Sequence, residues 1–263
     1  MTDFKHHRLP LSLASILLIA ATLALASELP LASPLGSLLR AQAAAPQPDV
    51  RYEVRAVHDL NGTGKFYMGR EIAQVMGAGG IEWLDRAERA EQEQPEVVIN
   101  AMGLHGGDVV ADLGAGSGYF TFRLAAKVGS TGKALAVDIQ DEMLETVRQR
   151  AAASGISNVE EVKASETDPH LPTGGVDLVL MVDVYHELAY PYEVMTKVRD
   201  ALKPGGRVVF VEYRKEDPSV PIKEVHKMSV EQLTKEMNAV RLARVKTVET
   251  LPSQHIVIFE TRD

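Results

Sequence analysis

The feature that most constrains this chain is a regular alternation, from about residue 95 onward, of short apolar runs with stretches of helical spacing. Runs at 108–113, 134–139, 159–163, 176–183 and 207–212 read as strands. Between them, 119–128, 141–153 and 191–202 repeat their apolar residues with a helical period. The run at 176–183 is apolar at nearly every position, as expected of a central strand covered on both faces. Two further β runs, 244–250 and 255–260, are separated by Leu251-Pro252-Ser253-Gln254 and predict a closing hairpin. Ser229, with Gln232 three residues on, predicts a capped helix start. The pattern specifies an α/β fold with a doubly wound sheet and a ligand at the carboxyl ends of its strands.

Between the first strand and the first helix of this array lies Asp112-Leu113-Gly114-Ala115-Gly116-Ser117-Gly118-Tyr119. Glycines here let the backbone turn sharply and approach a ligand without an intervening Cβ. Asp138 ends the next strand, twenty residues after Gly118. A carboxylate at that place can accept two hydrogen bonds from ribose hydroxyls. Dinucleotide binding calls for a third glycine where this chain has Tyr119, which disfavours a nicotinamide enzyme. A glycine turn that binds nothing is the remaining reading of the loop alone.

The G-x-G-x-G run preceded by Asp112, together with Asp138, resembles motif I and the ribose-binding acid of the class I S-adenosylmethionine (SAM)-dependent methyltransferases. The resemblance covers about residues 95–260. It implies a Rossmann-like, seven-stranded, mostly parallel sheet with a C-terminal antiparallel hairpin, and SAM as cofactor. It places Asp112, Gly114, Gly116 and Gly118 beside the methionine part of SAM, Asp138 and Ile139 at the ribose, and Ser165 and Glu166 near the adenine. Leu171-Pro172 followed by Val176-Asp177-Leu178-Val179 is similar to the family's small-molecule branch. The implied activity is methyl transfer to a small-molecule acceptor. The rival is an exported protein that keeps the SAM fold without turnover.

Methyl transfer is an in-line displacement in which the enzyme positions the partners, with a base where the acceptor must lose a proton. Acceptor chemistry is therefore expected where the fourth and fifth strands end. His186, Asp183 and Tyr185 are the catalytic candidates, His186 as base because imidazole titrates near neutrality. Glu212, Arg214 and His226 are the acceptor-side candidates. Asp183, His186 and Glu187 also carry metal-ligating atoms, but their spacing matches no metal motif, and no metal is assigned.

The chain has no cysteine, which excludes a thiolate nucleophile, Cys-ligated zinc and disulfides, and leaves His, Asp, Glu and Tyr for the acceptor site. Its formal charge of −8 argues against nucleic acid as a partner.

Residues 1–48 differ in kind. Lys5 and Arg8 precede an uncharged apolar stretch over 9–26 that ends in Ala24-Leu25-Ala26. This predicts a secretory signal peptide, or an uncleaved segment that anchors the protein to a membrane, followed by a spacer. The protein is then periplasmic, extracellular or membrane-anchored. That expectation conflicts with a cofactor made in the cytosol.

Residues 49–94 are expected to form a helical extension, with Tyr67 and Trp83 as candidate lid residues over a 95–263 SAM-binding domain. Within it, Gly62-Thr63-Gly64-Lys65 is similar to a phosphate-binding loop, but Asp59 replaces the first glycine and Phe66 the Ser/Thr, so it reads as a turn. No oligomeric state follows from these patterns.

Overall fold

Alternate residues of the central strands face opposite helical layers, and this alternation sets the architecture. The computed structural model describes residues 51–262. In β7 (Val176–Val182), Val179 and Met181 enter one core, while Leu178 and Leu180 enter the other. The same division runs through β8 (Leu202–Arg214), with Val208 and Phe210 against Val209 and Val211. It continues in β11 (Gln254–Thr261), with Val257 and Phe259 against Ile256 and Ile258. Period-two burial on both faces is what a strand covered by two helical layers requires.

The first core is closed by α6 (Pro191–Ala201) and α7 (Val230–Ala239), through Val194, Met195, Val198, Leu233 and Met237. The second is closed by α3 (Pro95–Ala101) and α4 (Thr121–Val128), through Val98, Ile99, Leu124 and Val128. A third helix of the array, α5 (Asp141–Ser154), ends at Gly155 in the left-handed conformation. Ser229 caps α7 by accepting the Gln232 backbone N–H at 3.1 Å. The Gln232 amide donates instead to Glu236 and to the Met68 carbonyl, so only half of a capping box forms.

With β4 (Val109–Leu113), β5 (Lys133–Asp138), β6 (Val159–Lys163) and β10 (Leu242–Val248), the sheet runs β10-β11-β8-β7-β4-β5-β6. The pairs among β6, β5, β4, β7 and β8 are parallel, and β11 lies antiparallel to both β8 and β10. A short strand, β9 (Lys227–Met228), adds to β8. This is the Rossmann-like sheet expected from the sequence. The chain leaves β4 toward β5 and β6, then crosses back to β7 on the other side. A crevice opens outside the carboxyl ends of β4 and β7, where that order reverses.

The extension departs from expectation. Residues 51–73 are not helical but form a separate antiparallel sheet of β1 (Tyr52–Val54), β2 (Gly62–Tyr67) and β3 (Arg70–Ala73). Gly62-Thr63-Gly64-Lys65 is strand rather than turn. Tyr67 pairs with Arg70 across the two-residue loop Met68-Gly69, both with positive φ, the tight hairpin whose twist suits antiparallel strands. Helix appears only later, in α1 (Ile81–Leu84), α2 (Arg89–Glu93) and α3. The small sheet is tied down by buried Arg70, which makes a two-pronged pair with Glu236 of α7 at 2.9 and 3.0 Å and donates to the His186 carbonyl at 3.1 Å.

The export or anchor segment predicted at 1–48 lies outside the described residues. Among the described residues, no helix is long and apolar enough to cross a membrane.

Candidate functional site

The crevice at the strand ends holds a cavity of about 670 Å³, within the range of small-molecule sites. One end is the glycine loop. Gly114, Gly116 and Gly118 have φ of +78°, +53° and +85°, the left-handed region that side-chain-bearing residues avoid. A Cβ on Gly114 would stand 2.3 Å from Cγ2 of Val184, and one on Gly116 would stand 2.9 Å from Cδ1 of Leu84. Gly114 and Gly116 line the cavity. Gly118 does not; a Cβ there would meet Phe122 at 2.7 Å, so it serves the packing of the following helix.

Two carboxylates support the loop. Asp112 is buried and accepts the Thr121 hydroxyl at 2.6 Å; burial pushes its pKa up to about 6. Asp138 accepts the backbone N–H groups of Gly116 and Gln140, each at 2.9 Å, through different oxygens. Burial raises its pKa above the ordinary value, with these N–H groups acting in the opposite sense. Ile139, Ser165 and Glu166 lie along the same wall. The Ser165 backbone N–H donates to the Asp168 carbonyl at 2.8 Å, which fixes the loop after β6.

The other end is built by the loop after β7. Asp183 stands at its start with φ of +54°, and its Oδ2 accepts the Gln254 amide at 2.7 Å. Its Oδ1 is buried without a hydrogen-bond partner. Burial, then the negative charges of Glu212 and Glu93, holds this carboxyl well above the usual range. His186 follows on a 3-10 turn, Tyr185–Glu187. Its Nδ1 lies 2.6 Å from Oε2 of Glu212, and its Nε2 lies 3.1 Å from Nδ1 of His226. Burial pulls the His186 pKa down, but the Glu212 carboxylate outweighs it and leaves the imidazole above its ordinary value. His226 is drawn down to about 4 by burial and by the positive field of His186 and Lys223. Glu187 is pushed up to about 7 by burial.

Three sequence candidates stand elsewhere. Tyr185 is fully buried, away from the cavity, and donates its hydroxyl to Glu236 at 2.6 Å. Its place just past the end of the fourth strand made it a candidate, but the 3-10 turn rotates the ring into the core against Phe210. Arg214 binds the β10–β11 hairpin, reaching Glu249 and the carbonyls of Leu251 and Pro252. Glu212 is wholly buried and reaches the cavity only through His186; its other oxygen accepts the Tyr185 backbone N–H at 3.0 Å.

Of the lid candidates, Tyr67 is 2% exposed and packs on Tyr52, whereas Trp83 is 42% exposed, lines the cavity and stacks on Arg86. Leu84, Tyr213 and Lys223 also line the cavity without having been singled out for it. Tyr213 carried a signal, since it follows Glu212 at the end of β8. Among the described residues, His186, Glu187 and His226 bring metal-ligating atoms together, a set that differs from the Asp183-containing one considered in the sequence.

The glycine cradle, the free lone pairs of Asp138 and the orphaned oxygen of Asp183 in one crevice fit a nucleoside bearing a cationic amino-acid tail. Comparison with known proteins agrees. A family model described as "Methyltransferase domain" matches residues 104–256. The ubiquinone/menaquinone biosynthesis C-methyltransferases UbiE of Ectopseudomonas mendocina and Salmonella arizonae are 30% and 31% identical over 118 residues. Those matches cover 44% of this chain and 46% and 47% of theirs, so the chain spans about half the length of these curated relatives. A crystal structure of a SAM-dependent methyltransferase from Aquifex aeolicus superposes with a TM-score of 0.67 at 26% identity, covering 70% of this chain and 98% of that one. The SpnF cyclase shares the fold alone, with 14% identity, a TM-score of 0.56, and 64% and 80% of the two chains covered. The chain belongs to the methyltransferase domain family and shares its fold with a SAM-dependent methyltransferase.

Proposed function

We propose that the enzyme methylates a small molecule at a nucleophile that must lose a proton, held at the His186–His226 end of the cavity. The observation that carries this reading is the hydrogen-bonded line Glu212, His186, His226, with contacts of 2.6 and 3.1 Å, opening into the cavity that the glycine loop borders.

When bound, SAM supplies a methyl group on a positively charged sulfur, and the acceptor supplies the electron pair. In this reading Asp138 would hold its ribose and the Gly114–Gly116 backbone would border its methionine part. Asp183 also lines the cavity, and among the described residues its buried Oδ1 has no hydrogen-bond partner. Glu212 accepts the His186 Nδ1 proton and fixes that ring. With His186 neutral in this tautomer, its Nε2 accepts from the Nδ1–H of His226. The His226 Nε2 lone pair can then take the acceptor's proton, and the Nδ1 proton passes to His186. Glu212 stabilises the resulting imidazolium, the arrangement expected of a base oriented by a buried carboxylate. Apolar walls from Trp83, Leu84, Val184 and Leu188 exclude water from the transfer.

The similarity to C-methyltransferases named for ubiquinone and menaquinone biosynthesis supports an acceptor of quinol or phenol type, acidic enough for an imidazole to deprotonate. Incubation with methyl-labelled SAM and a small-molecule cell extract tests the proposal. Label is expected in the low-mass fraction with release of demethylated SAM. Label confined to protein or nucleic acid would overturn it.

A further inference from the structure

The contact between the two histidines holds more than a proton requires. His186 Nε2 and His226 Nδ1 are 3.1 Å apart, and Oε1 of Glu187 lies 4.0 Å from the first and 3.7 Å from the second. Two ligands each about 2.1 Å from one ion stand about 3.0 Å apart at a right angle and about 3.4 Å apart in a tetrahedron. The two nitrogens already have that separation, and the carboxylate needs to close by roughly half an ångström by the same measure. Besides these contacts, Glu187 accepts a long hydrogen bond of 3.4 Å from the Met76 backbone N–H through its other oxygen.

We propose that His186, His226 and Glu187 bind one divalent transition-metal ion at the acceptor end of the cavity. Three features favour an ion over a hydrogen bond alone. The donor set is two imidazoles and one carboxylate, which suits Zn²⁺ or Fe²⁺ rather than Mg²⁺ or Ca²⁺. Glu212 takes the Nδ1–H of His186 at 2.6 Å, which leaves Nε2 as a free lone pair; a carboxylate behind a ligating histidine is the usual outer support of such sites. The three residues come from two turns, Tyr185–Glu187 and Glu224–His226, which meet at the two histidines in the cavity wall.

Three protein ligands leave at least one position open toward the cavity, as in catalytic rather than structural sites. An oxygen of the acceptor is the ligand that fits there. Coordination would lower its pKa so that its proton leaves to solvent water and the oxygen is held as the anion, in place of proton removal by His226. This consequence for the acceptor rests on the transfer reading above; the ion site does not.

The test uses the full chain purified without a polyhistidine tag and carrying His6→Ala and His7→Ala, so that this adjacent pair adds no site. After chelation, the protein is dialysed against Zn²⁺ or Co²⁺ alone, and bound metal is counted by mass spectrometry. One ion per chain is expected, with a visible absorption band for the Co²⁺ form. Glu187→Gln, nearly isosteric, and His226→Ala, on a partly exposed turn, are each expected to weaken Zn²⁺ binding by about 100-fold or more, with circular dichroism reporting the fold. Absence of stoichiometric binding, or binding insensitive to both substitutions, overturns the inference. SAM calorimetry on the same wild-type sample is a separate readout. SAM binding without metal binding sinks this proposal and leaves the transfer reading; metal binding without SAM binding does the reverse.

Discussion

Asp138 accepts the backbone N–H of Gly116 at 2.9 Å, so the end of β5 holds the turn that follows β4. One carboxylate thereby shapes the cradle and, with its remaining lone pairs, offers acceptors to a ligand inside it. Loss of this group should cost more than a contact, because the loop loses its brace as well.

Asp138→Ala is expected to weaken SAM binding by about 10- to 100-fold, the scale of one or two charge-assisted hydrogen bonds. Asp138→Asn, which can still accept from Gly116, is expected to lose less. Titration calorimetry on both variants checks this. Equal losses would mean that charge, and not the brace, carries the effect.

The close approach of Gly114 to Val184 makes a second prediction. Gly114→Ala combines a left-handed φ, costing about 1–2 kcal/mol, with an overlap against the Val184 methyl. Adding Val184→Ala should restore the part due to overlap and leave the part due to φ. Denaturant unfolding of the two single variants and the double variant separates the two. A Gly114→Ala protein as stable as wild type would refute the contact.

The His186–Glu212 pair is buried at both ends. His186→Ala strands the Glu212 carboxylate with only the Tyr185 N–H and is expected to destabilise the fold by about 3–5 kcal/mol. Removing both groups, as His186→Phe with Glu212→Leu, should cost less than the sum of the single losses. A double-mutant cycle by chemical denaturation reads this coupling. Additive losses would argue against a direct interaction.

Asp112 gives a pH dependence whose sign can be worked out. Burial raises its pKa to about 6 from an ordinary 3.8. Between those values the folded chain keeps a proton that the unfolded chain has lost, so stability falls as pH rises across the window. Asp112→Asn lacks this titration but can still accept from Thr121. Wild type should therefore lose about 2 kcal/mol relative to the variant between pH 4 and pH 7. Thermal melts of the ligand-free proteins measure the gap, and a constant gap would show that Asp112 titrates normally.

Trp83 is the chain's one tryptophan and lines the cavity, so its fluorescence reports on that wall. SAM addition should change its emission and shield it from a neutral quencher. Trp83→Ala should weaken SAM binding without the loss of fold expected from cutting away 49–90, which would remove Arg70 from Glu236. Emission unaffected by SAM would exclude Trp83 from the cofactor wall.

Much of the fold was legible because the relevant signals are local. The burial of 176–182 follows from a run that is apolar at all but Asp177, and the sharp turn from the glycines between a strand and a helix. The parallel order and the closing hairpin follow from the rhythm of the elements. The small sheet at 51–73 was not legible, because its tight hairpin depends on positive φ at both Met68 and Gly69, and Met rarely adopts that conformation.

The sequence by itself determined the strand–helix rhythm, the glycine turn and Asp138 at the end of the next strand, since each depends on neighbours within one element or one crossover. Only the tertiary structure decided the His186–His226 end of the cavity. It joined His186 to Glu212 across 26 residues, His186 to His226 across 40, and Arg70 to Glu236 across 166. It also turned Tyr185 into the core and Arg214 onto the hairpin. Periodicity says which face of an element is buried. Which side chains then meet is set by strand register and by how far each turn rotates, and these are fixed only when the layers pack.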